Sequence, residues 1–164
     1  MYKELQTDRL LIRPIKLEDK EFIYSLVNSD KWLRYIGNRN IGNSNDAEMY
    51  IRKIIENKNF FYSVMEILET NEQIGILTFL NREKQEFPDI GFALLPQFEK
   101  KGYTFEAGKK YLDEIISLKS FKKIIGITIP ENESSIKLLK RLGLEFESNF
   151  TEDNQILSLY SIKI

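Results

Sequence analysis

The sequence contains no cysteine and no histidine. That excludes disulfides, thiolate and imidazole metal sites, a cysteine nucleophile and a Ser-His-Asp triad. Any catalysis has to use carboxylates, hydroxyls, lysine, backbone dipoles or a carboxylate-bound metal. An excess of one charge is also lacking, because 24 Lys and Arg against 25 Asp and Glu leave a formal net charge of -1. Without a broad basic excess, nucleic acid is not expected as a partner. Long apolar runs are missing too: charges interrupt the opening MYKELQTDRLLIRP, so neither a signal peptide nor a membrane span is expected and a cytoplasmic location fits best. There are no repeats, low-complexity tracts or linkers.

What is present is the balance of one globular domain over residues 1–164, with 42% hydrophobic and 30% charged residues and enough length to bury a core. Leu10 to Ile15 reads as a strand, and a helical stripe from about Glu18 carries Phe22, Ile23, Leu26 and Val27. Asp30 to Asn45, with Trp32, Tyr35, Gly37, Gly42 and several asparagines, has turn chemistry carrying aromatics. A helix over about Asp46 to Lys58 has Met49, Ile51, Ile54 and Ile55 as apolar positions. Phe60 to Leu68, Gln73 to Asn81 and Asp89 to Leu95 are expected to form an antiparallel meander. Next come a helix from Gly102 to about Leu118, facing Ala107, Tyr111, Leu112, Ile115 and Ile116 inward, and a buried strand, Lys123 to Ile129. The alternation of strand, helix and strand makes Asp89 to Leu95 and Lys123 to Ile129 parallel neighbours through a right-handed crossover. A last helix, Asn132 to Leu142, precedes a hairpin of Glu145 to Phe150 and Ile156 to Ile164 around Glu152-Asp153-Asn154.

The stretch Ile90 to Ala107, IGFALLPQFEKKGYTFEA, runs an apolar strand through a short basic turn into a helix opened by Gly102. The first amides of a helix lack intrahelical acceptors and the macrodipole adds partial positive charge there. Such a turn therefore takes a phosphate or pyrophosphate on its main chain, and Lys100 and Lys101 add full charges beside it. The same residues also fit a plain tight turn with solvated lysines.

Phe98 to Ala107 resembles the acetyl-CoA signature of the GNAT superfamily of N-acetyltransferases, in particular its RimJ/RimL-like branch. Two further stretches agree in order: Thr7-Asp8-Arg9-Leu10-Leu11-Ile12-Arg13 with Asp19, and Asn132-Glu133-Ser134-Ser135 running on to Gly143-Leu144. The chain departs from the pattern at Glu99 and Thr104 in the phosphate turn, and at Leu139, where many relatives carry a tyrosine acid. The resemblance implies an α/β fold with a mixed, mostly antiparallel central sheet flanked by helices, whose one parallel strand pair splays to admit pantetheine.

It further implies acetyl-CoA as co-substrate, without a metal, and transfer to a primary amine, either a peptide N-terminus or a small molecule. Main chain at Phe92 and Leu94 is expected to pair with pantetheine, and the amides of Lys100, Lys101, Gly102, Tyr103 and Thr104 to hold the pyrophosphate. Asn132 is implied to bond the pantetheine, although it also suits a simple N-cap. An attacking amine must lose a proton, so a carboxylate base is needed: Asp89 leads, with Glu66 second, and Ser135 is the candidate acid. Glu106 is read as structural. Trp32 and Tyr35 are expected to border the acceptor site. The alternative is a catalytically inactive CoA-binding or partner-binding module on the same fold. The sequence leaves the oligomeric state open, a homodimer included.

Overall fold

The computed structural model describes residues 2–164. Strand β1 (Leu5–Gln6) folds back on β2 (Leu10–Pro14), with the Thr7 amide donating to the Leu10 carbonyl at 2.9 Å. The stripe Phe22, Ile23, Leu26 and Val27 then forms the buried face of α1 (Lys20–Val27). Asp30 to Tyr35, expected to be turn, is instead a helix, α2 (Asp30–Tyr35). Trp32 explains the difference. It is 4% exposed in the core formed with α1, and burying so large a ring outweighs the local turn preferences around it. The glycines and asparagines take up the 36–43 loop, where Gly37 and Asn40 have φ of 106° and 55°. The Asn43 side chain accepts from the Asp46 amide and caps α3 (Ser44–Glu56), so that helix starts at Ser44 rather than Asp46. Ala47, Ile51 and Ile54 are its buried residues, whereas Met49 and Ile55, expected to be apolar anchors, are exposed.

The meander follows as β3 (Phe60–Ile67), β4 (Gln73–Leu80) and β5 (Asp89–Leu94). Helix α4 (Tyr103–Ser117), β6 (Lys123–Thr128) and α5 (Glu133–Arg141) come next, then the hairpin β7 (Glu145–Glu152) and β8 (Gln155–Lys163). Asp153 and Asn154 both have positive φ, 47° and 61°, which closes the hairpin in a two-residue turn tighter than the expected Glu152-Asp153-Asn154. The eight strands lie in the order β1-β2-β3-β4-β5-β6-β8-β7. Among the described residues, only β5 and β6 pair in parallel. The α/β architecture expected from the sequence is therefore present, with β7 as an edge strand.

Alternation along the strands splits the core between the two faces of the sheet. Met65, Leu77 and Phe79 pack with Tyr111, Leu112 and Ile115 of α4 and Leu139 of α5. Val64, Ile76 and Ala93 face α1 and α3, and the same alternation puts the rows Tyr62–Thr78–Gly91 and Phe60–Leu80–Asp89 on that side. Neighbouring strands approach closely at Gly75, where a Cβ atom would overlap the Ala93 carbonyl oxygen and lie 2.8 Å from side-chain carbons of Met65 and Leu94. Backbone cannot move aside as a flexible side chain does. Gly75→Ala should cost about 1–3 kcal/mol through overpacking, read as a lower urea midpoint at unchanged slope.

Candidate active site

Strands β5 and β6 pair at one register position, Asp89 with Ile125, and the Ile125 amide donates to the Pro88 carbonyl at 2.9 Å. At the far end of β5, the Leu95 amide donates back to Ile74 of β4 at 2.8 Å. Main-chain groups alternate sides along a strand, so the N–H and C=O groups of Phe92 and Leu94 point away from β4, into the gap that β6 leaves. Their side chains pack against the α4 and α5 core.

Asp89 closes the apex of this gap. Its Oδ1 accepts from the Ile127 amide at 3.2 Å and its Oδ2 from Arg82 Nε at 2.6 Å. The residue is 2% exposed, and burial pushes its pKa up to about 6 against the opposing pull of Arg82 and the Ile127 amide. Glu66 is not brought to the same place. It is bonded to Arg13, whose guanidinium also binds Asp19 at 2.7 and 2.9 Å, and it pairs across the sheet with Gln73. The register sets Ser63, not Glu66, level with Leu77 and Phe92, and Phe60 level with Asp89.

Beyond β5 a 3-10 turn over Pro96–Phe98 leads into a loop with two left-handed residues, Lys100 (φ 60°) and Gly102 (φ 82°). The first bond of α4 runs from the Glu106 amide to the Gly102 carbonyl at 3.0 Å, so the amides of Tyr103, Thr104 and Phe105 precede the first intrahelical donor. Lys101 Nζ lies 5.6 Å over the Phe98 ring. Glu99, a departure from the family signature, bonds Lys31 of α2 at 2.6 Å, which neutralises it.

The loop is held from the opposite side by the opening motif. Arg9 Nε donates to Glu106 Oε2 at 2.7 Å, the Arg9 amide to Oε1 at 3.1 Å, and the Thr7 hydroxyl to Oε1 at 2.6 Å. The other branch of the Arg9 guanidinium reaches the Lys101 carbonyl at 3.1 Å, and its carbon lies 4.5 Å over the Tyr103 ring. Burial raises the Glu106 pKa, but these bonds outweigh it and hold the group below the ordinary carboxylate range. Glu106 is structural, as read from the sequence, and what it braces is the loop between β5 and α4.

Asn132 caps α5 by accepting from the Ser135 amide at 3.2 Å, so its structural task is occupied while Ser135, half-buried, keeps its hydroxyl. Leu139 is buried beneath Gly126, and its side chain offers no acid there. Trp32 is a core residue, and Tyr35 beside it is half-buried with Arg34 5.0 Å over its ring. The sequence reading missed Arg82, which sits in a loop without periodicity, and gave Arg9 no task. Among the described residues no group of three or more His, Cys, Asp or Glu side chains is arranged to hold a metal, and no helix is long and apolar enough to cross a membrane.

The family description of the acetyltransferase (GNAT) domain matches residues 9–145. The chain belongs to the GNAT acetyltransferases. It is 27% identical over 151 residues to the uncharacterized N-acetyltransferase YoaA of Bacillus subtilis (strain 168), covering 90% of this chain and 85% of YoaA. Its fold is shared with the ribosomal-protein-S5-alanine acetyltransferase of Vibrio fischeri at a TM-score of 0.82, with 20% identity over 98% of this chain and 96% of the other. The RimL ribosomal L7/L12 alpha-N-protein acetyltransferase, solved in complex with coenzyme A, superimposes at a TM-score of 0.85 with 14% identity, covering 99% and 98% of the two chains. Within this acetyltransferase the Arg9–Glu106 clamp is expected to preform the phosphate loop. Glu106→Gln should raise the dissociation constant for acetyl-CoA about tenfold, as loss of a charge-assisted bond predicts, while the thermal midpoint moves little. Calorimetric titration checks this.

Proposed function

We propose that the protein uses acetyl-CoA and transfers its acetyl group directly to a primary amine, a peptide N-terminal α-amine or a small-molecule amine. The carrying observation is the open edge of β5: unpaired main-chain groups at Phe92 and Leu94 lead straight to the left-handed loop at the start of α4. A strand edge of this kind accepts the amides of pantetheine as it would another strand, and the amides of Lys100 to Thr104 accept a pyrophosphate. The coenzyme A in the RimL structure supports the same reading. Asn132, at the start of α5, offers its side-chain amide to the pantetheine.

The chemistry needs one proton removed and one supplied. Asp89 is the base: with its pKa near 6 it is mostly ionised at neutral pH yet still basic enough to accept a proton from the incoming ammonium. The neutral amine nitrogen then bonds to the acetyl carbon as the carbon–sulfur bond breaks; the departing thiolate takes a proton from Ser135 or a water held there, which is made good by the second proton lost from the new amide nitrogen. Tyr35 borders the acceptor side at the end of α2, whereas Trp32, expected beside it, is buried and anchors that helix from the core. With no cysteine or histidine to carry an acetyl group, holding both reactants together replaces a covalent intermediate. The buried Leu139, in place of an acid, favours the second reading of an inactive CoA-binding module, and thiol release with an amine panel separates the two.

Steady-state kinetics should give intersecting lines, with no acetylated protein trapped in the absence of acceptor. Asp89 must be deprotonated to act, so kcat/KM should fall as pH drops through about 6. Asp89→Asn keeps an oxygen for the Ile127 amide, and it should lower the neutral-pH rate by roughly 10²-fold or more while recovering part of it at alkaline pH. A wild-type profile in that variant moves the base to water, because Glu66 is engaged by Arg13.

A further inference from the structure

On the face of the sheet that meets α1 and α3, the Arg82 guanidinium stands against Asp89 at the start of β5 and the Arg39 guanidinium lies over the Trp32 ring. The row Tyr62–Thr78–Gly91 neighbours the row that holds Asp89. Tyr50 and Tyr62, both half-buried, pack against the core cluster that holds Trp32; burial holds the Tyr62 hydroxyl above the ordinary tyrosine range, with Arg39 and Arg82 pulling the other way. Arg82 is matched by Asp89. Arg39 is not matched: it projects from the 36–43 loop, is exposed, and its guanidinium carbon lies 5.8 Å over the Trp32 ring, with no carboxylate at ion-pair distance among the described residues. Trp32 is buried with its indole Nε1 lacking a hydrogen-bond partner.

An acceptor nitrogen delivered to Asp89 brings the rest of the acceptor against these groups. We propose that the acceptor is an amine that also bears an anionic group, a carboxylate or a phosphate, and that Arg39 holds this group together with the Tyr50 and Tyr62 hydroxyls. The proposal rests on Asp89 as the base of acetyl transfer. Two physical arguments carry it. An unpaired guanidinium beside phenolic donors is a ready partner for an oxyanion, and the site's excess of positive charge repels polycationic amines. The same charge disfavours the ammonium form of any bound acceptor, which raises the fraction of neutral amine available for attack.

Trp32 is the single tryptophan of the chain, so its fluorescence reports on Arg39 directly. The probes are 4-aminobutyrate and O-phosphoethanolamine, with 4-aminobutyramide and ethanolamine as counterparts lacking the anion, and spermidine as the polycation. Each is titrated into the CoA-bound protein, and each is assayed for thiol release from acetyl-CoA. The expected result is a saturable fluorescence change with an anionic probe and a kcat/KM about tenfold or more above its counterpart. The stronger of the carboxylate and phosphate arms identifies the anion. Arg39→Gln should abolish the preference by raising KM at nearly constant kcat. Equal responses to anionic and neutral probes, spermidine as the best substrate, no response to either anionic probe, or a preference that survives Arg39→Gln overturns the proposal. Binding of an anionic probe through Arg39 without thiol release instead sinks the acetyl-transfer reading and leaves the anion site standing.

Discussion

Strands β5 and β6 begin side by side and separate after a single register position, and the Asp89 carboxylate stands where the next main-chain bond would form. Unpaired backbone groups inside a sheet are costly unless a partner or water satisfies them. The protein confines that cost to the open side of β5. Its other side is fully paired with β4, and the close approach at Gly75 presses the two strands together. Asp89 ends the gap at one extremity and the start of α4 ends it at the other, so the unpaired main-chain groups of β5 and the free amides of the helix start lie along one line.

The loop at the α4 end depends on contacts far away in sequence. Lys100 is a side-chain-bearing residue at φ 60°, a conformation that costs roughly 1–2 kcal/mol. The bonds from Arg9 and Thr7 to Glu106, and from Arg9 to the Lys101 carbonyl, lock the surrounding backbone. Preformed amides of this kind lose little freedom when an anion arrives, so more of the binding energy is retained. Lys31 secures the other flank through Glu99, on a partly exposed pair whose own contribution is small.

The strands and long helices were legible because their patterns are local. A polar turn separates the two largely apolar runs of β3 and β4, and the stripe on α1 has the spacing of one helix face. Helix α2 was not legible: it is short, bordered by turn-forming residues, and held by the burial of Trp32 rather than by propensity. The position of Asp89 at a strand start could be read, but its partners come from an unpatterned loop and from across the parallel pair. Arg9 and Glu106 each lie in a stretch visible as a motif, yet their bonds join residues 97 positions apart and no spacing rule reveals them. Glu66 shows the opposite limit. Strand-face reasoning left it free to reach an acceptor, and the buried Arg13 had already engaged it.

The edge strand β7 carries glutamates at 145, 147 and 152 and is largely exposed. An uncovered strand offers its free amides and carbonyls to any extended chain, including another copy of itself. Two β7 strands joined antiparallel about their midpoint would set Glu145 of each copy opposite Glu152 of the other, placing like charges face to face at both ends of the ladder. Exposed Phe146 and Ile156 on this hairpin would otherwise invite sheet extension. The carboxylates act as a fence, so the sheet stops growing at β7 even though its hydrogen bonds do not.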